Sequence, residues 1–154
     1  WELVAGKLLP YVTIGVGQIA LVSVLAVFWF GVPFRGSFPL FVVAGAAFLV
    51  GAMGIGLLLS IVTRSQQIAQ QAAVIITMLP SLLLSGFIFP VASMPMVLRG
   101  ISYAVPARYF LSIVRGVMLR GADTRSLLPD LAFMIAFAVG ITVLCVLRFK
   151  KELR

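Results

Sequence analysis

Few side chains in this 154-residue chain could do chemistry, and they are far apart. There is no histidine, a single cysteine at position 145, and only four acids, Glu2, Asp123, Asp130 and Glu152. Zinc chemistry, imidazole acid-base catalysis and a Ser-His-Asp triad each need groups that this sequence does not supply. Cys145 stands alone in an apolar stretch, so it makes no internal disulfide and reads as lipid-facing or core-facing packing. An enzyme embedded in a membrane would need an activated nucleophile or an ionisable pair within its apolar stretches, and none is there. A more suggestive polar group is a set of four glutamines. Gln66 with Gln70 and Gln67 with Gln71 stand four apart, on one side of a helix that is just beginning. They are solvated at a membrane surface, line a lateral opening, or meet another subunit.

The elements that carry these residues are apolar. Four stretches, residues 8–31, 37–62, 68–89 and 127–148, are each long enough as helices to cross a hydrocarbon core of about 30 Å. Hydrophobic residues make up 62% of the chain and charged ones 10%, and the mean hydropathy is +1.20, far from a soluble mix of about 25% charged residues. The fold class expected is all-α integral membrane, with four transmembrane helices and two short re-entrant or interfacial helices before the last span. The chain begins with Trp1 and reads as part of a longer polypeptide whose earlier helices precede it.

The net charge of +8 does not imply a nucleic-acid partner, because the twelve basic residues fall between and beside the spans as anchors and topology signals. The cluster Arg148, Lys150, Lys151 and Arg154 follows the last span and predicts a cytoplasmic C-terminus, with the N-terminus on the same side. In that topology six cations lie inside. The other six, Arg35, Arg99, Arg108, Arg115, Arg120 and Arg125, lie outside, five of them in or beside the segment that precedes the last span.

Along the chain, Trp1 to Lys7 is an interfacial approach. The first span holds Pro10, Gly15, Gly17 and Gln18, and Gln18 is expected to face another helix. Phe28, Trp29 and Phe30 form an aromatic belt before a Gly-Pro turn at residues 31–36. In the second span Ala52, Gly56 and Ser60 repeat every four residues beside Ala47 and Gly51, a spacing that lets helix backbones approach closely or lines a pore. Pro80 is expected to kink the third span. From Pro90 to Arg125, Pro95 and Pro106 divide the chain into two short helices, about 94–104 and 107–120. In the second, Tyr109, Phe110, Ile113, Val114 and Val117 gather opposite Arg108, Ser112 and Arg115. Such a helix lies in the interface, or the pair dips into the membrane and returns under protein cover. Thr124 or Ser126 offers an N-cap to the last helix, and Pro129 suits its first turn.

The order of these features resembles the C-terminal part of a type-2 ABC transporter permease. The resemblance rests on Gly6-Lys7-Leu8-Leu9-Pro10-Tyr11, Gly31-Val32-Pro33-Phe34-Arg35-Gly36, Thr63-Arg64-Ser65-Gln66-Gln67 and Leu84-Ser85-Gly86-Phe87-Ile88-Phe89-Pro90. It continues through Met94-Pro95, Pro106-Ala107-Arg108-Tyr109-Phe110, Arg115-Gly116, Gly121 and Leu147-Arg148-Phe149-Lys150-Lys151, over essentially the whole chain. It implies helices three to six of a six-helix membrane half in an ATP-driven exporter of the cell membrane. That half would pair with a second permease half and dock separate ATP-binding subunits. The coupling helix and the first two helices would precede Trp1.

In that frame the chain binds no cofactor itself. With no Gly-rich phosphate loop in the sequence, ATP and Mg belong to the partner subunit. Candidates for coupling to the ATPase are Trp1, Glu2, Lys7, Arg64, Ser65, Gln66 and Gln67. An exit gate would be built from Phe87, Phe89, Pro90, Met94, Pro106 and Tyr109, a pathway wall from Gln18 and Met78, and helix packing from Ala52, Gly56 and Ser60. The alternative from another class is a non-transporting membrane assembly or binding module held together by the small-residue stripe.

Overall fold

The computed structural model describes residues 2–63 and 65–152. Trp1 and Arg64, both expected at the coupling surface, and Arg154 of the basic tail lie outside the described residues. Among those described the fold is all helical, and four helices are long and apolar enough to cross a membrane. The chain is a multi-pass membrane protein.

Helix α1 (Glu2–Phe28) starts about two turns before the apolar stretch and runs through Pro10. A proline here removes one hydrogen bond, to the carbonyl of Gly6, and membrane helices tolerate this where neighbours or local adjustment compensate. Past its end, the Val32 N–H reaches back 3.1 Å to the Ala26 carbonyl, satisfying one acceptor the helix leaves open. The belt residues Phe28, Trp29 and Phe30 are 79–85% exposed, as an interfacial belt requires. Helix α2 (Phe38–Val62) begins at Ser37 with Pro39 in its first turn, where a missing N–H costs nothing.

The third span is composite. Helix α3 (Gln66–Ala73) passes through a π-helical turn at Val74–Met78 into α4 (Leu79–Leu84). The wide turn sits immediately before Pro80, whose ring would collide with the carbonyl of Ile76 in a regular helix. The expected disturbance is therefore a π turn spread over the residues ahead of the proline. The span also ends at Leu84, five residues short of the expected Phe89, and a bend takes over at Ser85.

Two short helices follow, α5 (Met96–Ser102) and α6 (Pro106–Arg115), the latter extended by a second π turn at Gly116–Arg120. Helix α7 (Thr124–Glu152) completes the chain. It already includes Thr124 and Ser126, so neither is the N-cap expected. The Ser126 hydroxyl instead donates to the Asp123 carbonyl at 2.7 Å.

Helices α2 and α7 pack along most of their length, with α1 on another side of α2 and α6 laid across the pair. The core lies where α2, α6 and α7 meet, formed by Leu40, Phe41 and Ala44, by Ile113 and Val117, and by Leu127 and Met134. In lipid this contact is held by close packing, since tails outside are as apolar as the residues inside. Sequence spacing put the close approach on Ala52, Gly56 and Ser60, beside Ala47 and Gly51. Within this chain Gly51 faces Phe137 as that spacing allows, whereas the next contact falls on Gly54, which faces Ile141, and Gly56 has nothing within 4 Å of a Cβ position. Ser60 is exposed and Ala52 half-buried. Buried Cys145 seals the same seam, its thiol 3.2 Å from the Gly54 carbonyl.

A side chain at Gly54 would overlap Ile141. Gly54→Val in the full-length parent is expected to cost about 1–3 kcal/mol by overpacking, read as a lower Tm in detergent. Gly140→Ala, where nothing lies within 4 Å, is expected to be neutral or to stabilise by up to about 1 kcal/mol.

Candidate functional site

Two ends of the bundle hold the residues singled out for function. At one, the α1–α2 turn, the end of α4, the two short helices and the start of α7 come together. The turn at Gly121 is the pivot. Its backbone is left-handed, φ 57° and ψ 35°, and its N–H caps the Gly116 carbonyl, a conformation that suits glycine. A Cβ there would sit 3.0 Å from Cβ of Arg35, and one on Gly36 would sit 2.8 Å from Cα of Val117. The α1–α2 turn and the end of α6 thus touch backbone to backbone.

Helix α6 is anchored by aromatic stacking. Phe110 stacks on Phe48 at 4.8 Å and lies 6.5 Å from Phe41, and Tyr109 stacks on Phe133 of α7 at 4.0 Å. Ile113 and Val117 are fully buried. The apolar side expected for this helix is therefore the side it shows to protein. Helix α6 packs on α2 and α7, while Ser112 and Arg115 stay exposed.

The elbow between α5 and α6 is built on Ser102, which is fully buried. Its hydroxyl donates to the Arg99 carbonyl at 2.7 Å and accepts from Arg108 Nη1 at 2.6 Å. The Arg108 guanidinium lies 4.0 Å over the Tyr103 ring, and the Tyr109 hydroxyl donates to the Tyr103 carbonyl at 2.8 Å. Hydrogen bonding and charge from Arg108, with the charge of Arg99 behind it, hold the Tyr103 phenol below its ordinary pKa. One hydroxyl and one guanidinium thus close a turn across Pro106. A second arginine ties the end of α6 to the bend that follows α4, Arg115 Nη2 donating 3.1 Å to the Gly86 carbonyl. Buried Ser85 accepts there from the Phe87 N–H at 3.3 Å.

The expected gate residues divide into two groups. Phe89 and Met94 come together with Leu79, Pro80, Leu83 and Leu98 around an apolar groove of about 480 Å³. Phe87 and Pro90 are exposed beside it, whereas Pro106 and Tyr109 start α6 and are half-buried. The sequence did not single out Ser102, nor Arg108 as its partner. They stand six positions apart with Pro106 between them, and no helical period links them.

At the opposite end, Glu2 and Lys7 are exposed on the first two turns of α1, and Gln66 and Gln67 are exposed at the start of α3. Ser65 holds the N-cap position of α3 without a side-chain capping bond. Gln67, Gln70 and Gln71 line a shallow groove of about 550 Å³ with Val74 and Ile75. Gln18 is exposed on α1 rather than set against another helix of this chain, and Met78 is exposed on the π turn. Neither lines the grooves formed by the gate or the glutamines.

The α5–α6 elbow generates a direct test. Arg108→Ala in the full-length parent is expected to cost about 1.5–3 kcal/mol, the range for a hydrogen bond to a charged group, and to expose the segment from Pro95 to Pro106 to limited proteolysis. Arg108→Lys should recover only part of this, because an ammonium lacks the planar face that stacks on Tyr103.

Comparison with known proteins finds relatives of this sequence. The family described as ABC-2 type transporter matches residues 1–119. A protein named probable multidrug ABC transporter permease YbhS, of Escherichia coli, is 41% identical over 152 residues, 99% of this chain and 40% of its own length. The probable multidrug ABC transporter permease YbhR of Escherichia coli is 31% identical over 123 residues, 80% of this chain and 33% of its own. ABC transporter G family member 20 of Dictyostelium discoideum is 26% identical over 158 residues, 99% of this chain and 22% of its own. The chain thus spans less than half the length of these relatives. No solved structure matches it.

Proposed function

This chain belongs to the ABC-2 type transporter family, and from that membership we propose that it is part of the permease subunit of an ATP-driven exporter. ATP and Mg sit on a separate ATP-binding subunit, and this chain performs no hydrolysis. It contributes helices to a pathway completed by a second permease half, in a homodimer or heterodimer. The multidrug naming of relatives suggests a cargo of apolar, drug-like molecules.

The observation that carries this reading is the third span. It is apolar enough to cross a membrane, yet none of its membrane window is buried within the chain. Its partners here are the short helices at one end and the end of α2 at the other. An amphipathic start with four glutamines and an apolar length with no buried residue fit a helix that faces other membrane helices and a passage between them. The absence of acids from the middle of the spans suits a conduit that moves apolar cargo by rearranging helices rather than by proton relay.

In this arrangement Glu2, Lys7 and the 63–67 loop face the cytoplasm with the C-terminus and receive the motion of the ATPase, Trp1 and Arg64 included. Phe87, Phe89, Pro90, Met94, Pro106 and Tyr109 border the exit, and Gln18 and Met78 contribute to the pathway wall.

Affinity purification of the full-length parent in mild detergent should recover a stoichiometric ATP-binding subunit, and apolar drugs should stimulate the ATPase of that complex. Recovery of the parent with no such subunit and no ATPase activity would replace this reading with a non-transporting assembly module.

A further inference from the structure

The cations of this chain are sorted by type as well as by place. All three lysines, Lys7, Lys150 and Lys151, belong to the end that carries the chain termini. The opposite end has six arginines and no lysine, with Asp123 and Asp130 as its acids. Six positive against two negative charges leave that end with a net charge of +4. Among the described residues, two of the six guanidiniums bond within the chain, Arg108 to Ser102 and Arg115 to Gly86.

Arg35, Arg120 and Arg125 are exposed and gather around one turn. Arg35 touches Gly121, Arg120 precedes it, and Arg125 lies in the first turn of α7. Asp123, also exposed, is the one acid in that turn. A guanidinium is a planar fork of donors that binds phosphate in bidentate fashion, which a lysine ammonium does not.

A second observation concerns what lies below this turn. Between α2 and α7 runs an almost wholly apolar groove of about 450 Å³, lined by Val43, Ala47, Val50, Val139, Thr142 and Val143 among others. On α7, Val139 and Val143 follow Arg125 by about four and five turns, so they share its face. The exposed belt Phe28, Trp29 and Phe30 leads into the turn that holds Arg35, which sets this level of the molecule at lipid headgroup depth.

We propose that Arg35, Arg120 and Arg125 around the Gly121 turn bind the phosphate of an anionic phospholipid, one of whose acyl chains lies in the α2–α7 groove. The bound lipid fastens the α1–α2 turn, the end of α6 and the start of α7 to one headgroup. It is a resident lipid and not cargo, and the site stands whether or not the exporter reading holds.

The test uses the full-length parent in nanodiscs and in detergent, probed with phosphatidylglycerol, with phosphatidylcholine and with inorganic phosphate. Native mass spectrometry should show phosphatidylglycerol retained in preference to phosphatidylcholine, and phosphatidylglycerol alone should raise Tm. Each arginine should account for about a fivefold preference, so Arg35→Gln, Arg120→Gln and Arg125→Gln together should lose it by on the order of a hundredfold.

Arg125→Gln alone, at an exposed position, serves if the triple variant does not fold, and should lose about fivefold. Val139→Trp, which fills the groove and leaves the arginines in place, should also lower retention. Lys150→Gln at the other end should not. Unchanged retention in Arg125→Gln would overturn the proposal, as would an equal Tm shift with inorganic phosphate, which assigns the arginines to a soluble anion.

Discussion

The arrangement depends on how closely α2 and α7 approach one another. In lipid, burying apolar surface brings little gain, so two helices stay together only where their backbones come near enough for dense contact. Gly51 and Gly54 provide that nearness on α2, against Phe137 and Ile141, and the Cys145 thiol meets the Gly54 carbonyl at the deep end of the seam. Helix α6 then has a platform of fixed width on which to lay Phe110, Ile113 and Val117. Without that seam the short helices would have no surface to return to.

Much of this was legible in the sequence because the bilayer imposes a coarse and reliable pattern. Span number, the Gly-Pro turn, the division of the pre-α7 segment at Pro95 and Pro106, and the apolar side of α6 all follow from length, breakers and periodicity. Finer matters were not legible. Small residues recur at several registers of α2, and spacing alone does not say which register meets a neighbour, so Gly56 was singled out and Gly54, which faces Ile141, was not. The start of α7 is set by the turn at Gly121, which draws Thr124 into the helix. Gln18 marks a polar surface on α1, but the sequence does not say which helix lies against it.

The candidate site divides along the same line. Phe89 and Met94, which line an apolar groove, stand out in the sequence because proline and aromatic punctuation marks the end of a span. Its polar frame was hidden, because Ser102 and Arg108 belong to different helices and meet only once the chain has turned between them. A buried hydroxyl bonded by a guanidinium is a tertiary fact. In an interior with little water such a pair is costly to leave unsatisfied, so this elbow has little freedom to open without breaking its two bonds together.

The π turn at Val74–Met78 changes the third span in a way its length does not reveal. A π turn amounts to one extra residue in an α-helix, and each residue advances the helix by about 100°. The side chains of α4 are therefore rotated by about that angle from where the register of α3 would place them. In an unbroken α-helix Leu79 and Leu83 would stand roughly 80–120° away from Gln71, and the extra residue brings them back to about the face that carries Gln67 and Gln71. A single helical wheel drawn through residues 66–84 without that extra residue would turn the second half by about 100° and assign it to the wrong neighbour.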